Sequence, residues 1–339
     1  MMTPAPPTIE ERNWRPKTLA EFIGQSALKA PLGLMLESAK ARGTVLEHVC
    51  FYGGPGLGKT TLAAIIAREM GGTLHEMAAP SIGKVSELVS VLTSLRPGDV
   101  LFLDEIHALR REIAEMLYSA MEDFRIGLQL APDTRPITIT LERFTLVGAT
   151  TDFGLLPEPL RARFGQLFPL DLYSEKELIQ VVLRAASASD ALIDRASLRM
   201  IARRARGTPR LALRLFRRCY DLATVRGEDL FAALTAEALE MLRVDELGLD
   251  DADRRYLRTL VDVYAGGPVG LKALATSAGI DPVTAERSIE PWLLRSGLIA
   301  RTRLGRRITR KGLAHIAPGA VLEPARMSFE TDPDDLEDV

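Results

Sequence analysis

The sequence predicts an α/β fold in which a parallel-sheet domain with a phosphate loop is followed by a small helical domain and a winged-helix domain. Three observations predict it. EHVCFYGGPGLGKTTLAAIIAREM runs from an apolar strand through a glycine-rich turn into a helix, and the apolar stretch VLFL ends in two adjacent carboxylates, Asp104 and Glu105. From residue 247 onward the pattern reads helix, helix, helix, hairpin. A chain of 339 residues is long for one core, and the expected division is 1–172, 173–246 and 247–326, with an acidic tail over 327–339.

The turn fits G-x-x-x-x-G-K-T, with Gly53, Gly58, Lys59 and Thr60 in register and Gly54, Pro55, Gly56, Leu57 and Thr61 around them. Glycines let backbone N–H groups close around phosphate oxygens, and the helix that follows adds a favourable dipole. This places Lys59 on the β and γ phosphates of a nucleotide and Thr60 on Mg²⁺.

The second apolar strand, Val100 to Leu103, has the character of a buried parallel strand. At the carboxyl end of such a sheet Asp104 suits the Mg²⁺ shell, and Glu105 suits a general base that polarises water. A small-molecule kinase shares these parts. RFTLVGATT argues against it, being a third apolar strand that ends in Thr150 and Thr151, where a hydroxyl orients water near the γ-phosphate. EPLRARFG follows with Arg161 and Arg163, and an arginine on this turn can reach a neighbouring subunit's nucleotide, a contribution worth about 10³ to 10⁵ in rate.

Between these segments, residues 125–142 carry a hairpin pattern. Ile126, Leu128 and Leu130, then Ile137, Ile139 and Leu141, alternate about the turn APDTRP.

In the helical domain, Ser174 and Glu177 have capping-box spacing. Within RARGTPRLALRLFRR, Gly207 and Pro209 end one helix and start another, so Arg210 sits in a first turn. A cation there opposes the helix dipole by roughly 0.3 to 1 kcal/mol, which points to an anionic partner such as nucleotide phosphate.

In the last domain Asp281 and Pro282 form an N-cap and first-turn pair for the third helix, Pro282 to Leu294; Pro291 is expected to kink its last turn, and Gly297 to stop it. Two short strands then flank Leu304-Gly305. RTRLGRRITRK, residues 301 to 311, concentrates Arg301, Arg303, Arg306, Arg307, Arg310 and Lys311 with no acidic residue among them. The third helix instead carries Glu286, Arg287 and Glu290. Positive charge on the wing rather than on that helix fits contact with nucleic-acid phosphates without base selection. The tail after Arg326 is acidic and reads as disordered.

Bulk composition excludes less. With 43 Lys and Arg against 45 Asp and Glu the net charge is -2, so nucleic-acid binding rests on local patches. Cys50 and Cys219 lack metal-ligand or redox spacing, which indicates reduced thiols. The N-terminus, MMTPAPPTIEERNW, has no signal pattern and no run reaches the ~18 apolar residues of a membrane helix, so a soluble cytoplasmic protein without membrane contact is expected.

WRPKTLAEFIGQ, GGPGLGKTTLA, LRPGDVLFLDEIH, LYSAMEDF, RFTLVGATT, PLRARFG, RGTPR and GGPVGLKALA, in this order, resemble the AAA+ ATPases and, within them, the RuvB family of branch-migration motors. The resemblance implies an AAA+ large domain, a helical lid and a winged helix, using ATP and Mg²⁺. Carried over position by position, Lys59 and Thr60 are the Walker A ligands, Asp104 and Glu105 the Walker B pair, Thr151 sensor 1 with Thr150 adjacent, Arg163 the arginine finger with Arg161 nearby, and Arg210 sensor 2. Arg15, Pro16, Ile23 and Tyr173 line the adenine pocket.

By the same resemblance, the hairpin over 125–142 is expected to dock on a RuvA-like junction-binding partner, and a homo-hexameric ring to act on double-stranded DNA and four-way junctions, with a RuvC-like resolvase downstream. The chain departs from the family pattern at Gly54, where a second proline is usual, at Asp152, where the family has arginine after GATT, and at Leu304-Gly305, in place of an arginine-glycine wing tip. Two functions follow: a DNA-stimulated motor that drives branch migration, or a nucleotide-switched DNA-binding regulator or clamp-loader-like module with slow hydrolysis. An intact Glu105 and a trans-acting Arg163 favour the first.

Overall fold

The computed structural model describes residues 14–128 and 137–320. The APDTRP turn, Leu130, the residues before Trp14 and the acidic tail lie outside them. The chain divides into two compact units, one up to Leu242 and one from Arg243.

The first unit is built on a five-stranded parallel sheet, β1 (Val49–Tyr52), β2 (Leu74–Ala78), β3 (Val100–Asp104), β6 (Thr145–Thr150) and β7 (Gln166–Pro169), in the order β2-β3-β6-β1-β7. Helices α1 (Ser26–Arg42), α2 (Lys59–Met70), α3 (Val85–Ser94), α4 (Arg111–Asp123) and α5 (Glu158–Arg161) belong to the same domain. Covered on both faces, the central strands need continuous apolar runs rather than alternation. Residues Val100 to Leu103 and all of β6 are accordingly buried. Placing β1 between β6 and β7, with β3 on the far side of β6, sets the carboxyl ends of β1, β3 and β6 side by side. That edge is where α/β sheets hold ligands. Gly148 in β6 is required by close packing, since a Cβ there would lie 2.8 Å from the Phe164 ring.

The hairpin of β4 (Arg125–Leu128) and β5 (Ile137–Thr140) forms as the alternation predicts. One apolar face turns inward: Ile126 is fully buried, and Ile139 packs on the sheet domain's core. Ile137 is half exposed. The alternation thus reflects attachment to the hairpin's own domain as well as any outer surface.

The helical domain comprises α6 (Glu175–Ala188), α7 (Arg195–Arg204), α8 (Pro209–Arg226) and α9 (Ala232–Met241). Ser174 and Glu177 complete the expected capping box, and Pro209 occupies the first turn of α8. Trp14 ties the N-terminal segment to this bundle, its indole N–H donating to Ser189 Oγ at 2.8 Å and its ring meeting Phe216 edge-on.

The second unit contains α10 (Asp251–Asp262), α11 (Leu271–Ser277), a third helical stretch, the hairpin β8 (Ile299–Thr302) and β9 (Gly305–Ile308), and a last helix. Asp281 caps the third stretch through Thr284 N–H, as expected. This stretch is not one helix with a kink in its last turn: α12 (Pro282–Thr284) passes into a π-helical segment, Ala285–Ile289, and then into α13 (Glu290–Arg295). The widened turns precede Pro291 because its ring clashes with a carbonyl four residues upstream and it has no N–H to offer. α14 (Arg310–Ile316) closes the unit. Thr302 pairs with Gly305, so the wing turn is Arg303-Leu304 rather than Leu304-Gly305. Gly305, at φ 130, abuts the Val269 carbonyl, leaving no room for a Cβ.

Arg306 departs from the expectation of a DNA contact. Its Nε and Nη2 donate to the Glu290 carboxylate at 2.7 and 3.0 Å, and Tyr256 Oη donates to the same carboxylate at 2.6 Å. Arg306 is only 7% exposed. Alternation along β9 turns it inward, while a buried Glu290 requires a cation. Arg306 is a core residue that holds the wing on the third helix, and Glu290 is its counter-ion.

Candidate nucleotide site and nucleic-acid surface

The loop after β1 bends back on itself through Gly53, Gly56 and Gly58, at φ 145, 80 and 107. Positive φ favours glycine, and the tight surroundings demand it again: a Cβ on Gly53 would lie 2.5 Å from Leu170 O, one on Gly56 2.9 Å from Arg210 Cβ, and one on Gly58 3.0 Å from the Phe22 ring. α2 starts at Lys59 with no side chain capping its first turn, so its amides point into the loop. Lys59 is buried, and its Nζ donates to Gly53 O and Gly54 O at 2.7 and 2.9 Å. Burial lowers its pKa, against the pull of Glu105 and Asp104. A desolvated ammonium ringed by backbone dipoles fits a polyphosphate. Thr60 follows at the same helix start.

β3 delivers Asp104 and Glu105 beside this loop. Burial and the adjacent Glu105 push the Asp104 carboxyl upward, and Glu105 N–H donates to its Oδ1 at 3.1 Å. Asp104 ends β3 and Thr60 lies in the first turn of α2, and a carboxylate and a hydroxyl are oxygen donors of the kind a hard divalent cation takes. Glu105 adopts a left-handed backbone, φ 50, which turns its side chain from the strand direction toward the end of β6. There Thr151 donates its N–H at 3.0 Å and its hydroxyl at 2.9 Å to the Glu105 carboxylate.

Thr150, by contrast, is fully buried, its hydroxyl 2.8 Å from His107 Nδ1 and accepting from Asp152 N–H at 3.1 Å. His107 Nδ1 also lies 3.4 Å from Glu105. The ambiguity between the two threonines is one of strand direction, because adjacent residues face opposite ways. His107, unremarked in the sequence except as the end of LFLDEIH, joins both sides of the site.

Arg210 reaches the loop from α8, its N–H donating to Gly56 O at 3.3 Å while its own side chain stays exposed. Tyr173 is buried, and its hydroxyl donates to Leu57 O at 3.2 Å. A Cβ on Gly24 would collide with the Tyr173 ring, so the segment next to Ile23 lies against it. Gln25 donates to Asp171 O at 2.7 Å and accepts from Asp171 N–H at 3.1 Å, clamping that segment to the strap before α6. Arg184 Nη2 donates to Arg15 O at 3.3 Å, fixing the Arg15-Pro16 segment against the bundle. Phe22 and Gln25 belong to WRPKTLAEFIGQ, but that stretch alone assigns them no role, because their roles depend on the loop and the strap meeting in space.

Family models match along almost the whole described chain. The Holliday junction DNA helicase RuvB P-loop domain matches residues 14–170, the RuvB AAA lid domain residues 173–245, and the RuvB C-terminal winged helix domain residues 246–317. The chain belongs to the RuvB family. The Holliday junction branch migration complex subunit RuvB of Thermotoga maritima is 48% identical over 305 residues, 89% of this chain and 91% of the relative. That of Fervidobacterium nodosum is 46% identical over 316 residues, 91% of each. The solved Thermotoga maritima RuvB Holliday junction branch migration motor superposes with a TM-score of 0.81 at 47% identity, covering 91% of this chain and 100% of that one.

Within the RuvB frame the remaining expected residues separate by environment. Arg301, Arg303, Arg307 and Arg310 are exposed on the wing and the helix after it, as is Leu304 at the turn. Lys311 is exposed but donates to Ser296 O at 2.8 Å. Arg161 donates to Phe153 O and Gly154 O and stacks on the Phe153 ring, whereas Arg163 pairs with the exposed Glu122. Among the described residues, no helix is long and apolar enough to cross a membrane.

Proposed function

We propose that this chain is an ATP-driven DNA motor that promotes branch migration of Holliday junctions, working as a homo-hexameric ring with a RuvA-like junction-binding partner and feeding a RuvC-like resolvase. The observation that carries it is the Glu105 carboxylate at the carboxyl edge of the sheet, beside Asp104 and gripped by Thr151. A binding module needs no such placed base.

The loop from Gly53 to Thr61 cradles the phosphates, and Lys59 neutralises the β and γ oxygens. Thr60 and Asp104 would hold Mg²⁺, which would supply further charge neutralisation at the phosphates. Glu105 accepts a proton from the attacking water, and Thr151 sets where its carboxylate stands. Arg163 acts on the nucleotide of an adjoining subunit. It is preferred to Arg161, whose Nη2 is held by two backbone carbonyls, because the Nη2 of Arg163 rests on an exposed carboxylate, Glu122, that phosphate oxygens can replace. Arg210 approaches the phosphates from the lid, and Arg15, Pro16, Ile23 and Tyr173 enclose the adenine.

Arg301, Arg303, Arg307 and Arg310 contact DNA phosphates, and the 125–142 hairpin meets the RuvA-like protein. The domains are 1–172, 173–246 and 247–326, in a cytoplasm that keeps buried Cys50 and Cys219 reduced. The deciding experiment is ATP-dependent dissociation of a synthetic four-way junction in the presence of a RuvA partner. Wild type is expected to dissociate it and Glu105→Gln to fail. Equal behaviour of the two would leave the nucleotide-switched regulator as the better account.

A further inference from the structure

The segment LYSAMEDF has no part in the nucleotide loop, the sheet edge or the wing, yet it builds the end of α4 next to the turn that carries Arg163. Arg163 Nη2 donates to Glu122 at 3.1 Å and Nη1 to Pro159 O at 2.7 Å. Its guanidinium lies 4.6 Å from the centroid of the Tyr118 ring. Tyr118 and Glu122 are four residues apart on one helix, so both address the same point outside it. Tyr118 is anchored against the hydrophobic core, whereas Glu122 is 55% exposed and pairs with the arginine.

An arginine side chain carries large rotamer entropy, much of which a finger must surrender each time it engages a phosphate. A ring face and a backbone carbonyl that fix the guanidinium plane remove most of that freedom beforehand. An exposed carboxylate on the remaining edge holds the charge without burying it, and it can be exchanged for phosphate oxygens with one charge-assisted bond replacing another.

We propose that Tyr118 and Glu122 are positioning residues for Arg163, forming a cradle on one subunit that presents the guanidinium to the nucleotide bound by the next. The inference rests on the reading of Arg163 as a finger acting between subunits. The cradle therefore acts in trans: its loss impairs the neighbour's hydrolysis and leaves the subunit's own nucleotide loop intact.

The test measures ATP hydrolysis by full-length protein assembled on junction DNA with the RuvA partner. Glu122→Gln is expected to lower kcat about tenfold with KM for ATP changed less than twofold, while Tyr118→Phe, which keeps the ring face, retains wild-type kcat. The decisive arm mixes variants. Lys59→Ala subunits cannot hydrolyse but carry an intact cradle, so adding them to Glu122→Gln should raise the rate per Glu122→Gln subunit. Arg163→Ala mixed with Lys59→Ala is the control. If neither mixture is complemented, the trans reading of Arg163 is wrong. If Arg163→Ala is complemented and Glu122→Gln is not, or if Glu122→Gln alters KM rather than kcat, the cradle is wrong.

Discussion

Thr151 gives both its backbone N–H and its hydroxyl to the carboxylate of Glu105, at 3.0 and 2.9 Å. Two donors from one residue fix the orientation of a side chain that leaves the strand at a left-handed backbone position. A base must stand within hydrogen-bond reach of the water it activates, so in the proposed reaction this pairing sets where the Glu105 carboxylate can act.

Glu105→Gln is therefore expected to lower kcat by about 10²- to 10⁴-fold with nucleotide binding preserved. Thr151→Ser should stay within a few-fold of wild type, and Thr151→Val should lose one to two orders of magnitude of that same range. Thr150→Val acts elsewhere: it removes a buried hydroxyl that meets His107 and Asp152 N–H, and should cost roughly 1 to 3 kcal/mol of stability. Steady-state hydrolysis and denaturant melts of the four variants check this, and a Thr150→Val protein with normal stability would refute the assignment.

Arg306 and the exposed wing arginines should part company. Arg306→Ala strands Glu290 as a buried charge and is expected to destabilise the second unit by about 3 to 5 kcal/mol. The Glu290 carboxylate in turn holds the Arg306 guanidinium above its ordinary range. Alanine at Arg301, Arg303 or Arg307 should leave melting unchanged, weaken DNA binding equally for unrelated sequences, and reduce the salt slope by roughly one per lost phosphate contact. Binding titrations at several salt concentrations, paired with melts, separate the two classes.

Arg210→Ala is expected to raise KM for ATP by about 10- to 100-fold, the loss of one charge-assisted hydrogen bond worth roughly 1.5 to 3 kcal/mol. Its side chain is exposed, so the thermal midpoint should not move. Nucleotide titration alongside a melt tests both statements.

His48 supplies a pH dependence with a definite sign. Its Nε2 meets Met121 O at 3.1 Å, its Nδ1 accepts from Leu146 N–H at 2.9 Å, and burial lowers its pKa. The unfolded chain takes up a proton near the ordinary value of about 6.5, while the folded chain resists until lower pH. Stability is therefore complete above about 6.5 and falls as pH drops from there toward the lowered folded value, by at most about 1.4 kcal/mol per pH unit for this one group. Urea unfolding between pH 7.5 and 5.5 should show the fall, and His48→Gln should flatten it.

Local patterns made much of this protein legible. The glycine loop requires positive φ at fixed spacings, and buried parallel strands require apolar runs that end where ligands bind, so Gly53 to Thr61, Asp104 and Glu105 stand out in the chain itself. Capping signals at Ser174 and Asp281, and Pro209 at a first turn, are equally local and are met. The same holds for the order of sheet, bundle and winged helix.

What the tertiary structure decided is which of several equivalent residues faces which neighbour. Thr150 and Thr151 are indistinguishable until β6 pairs with β1 and β3 and assigns one to the core and the other to Glu105. Arg306 looks like any other arginine of RTRLGRRITRK until β9 packs its alternate residues against Glu290, 16 positions earlier. Arg161 and Arg163 part only when Phe153 and Glu122 come to meet them. Periodicity and backbone requirements are written within a few residues and survive in a bare sequence. Desolvation and charge pairing depend on contacts between distant segments, and exist only once the chain has folded.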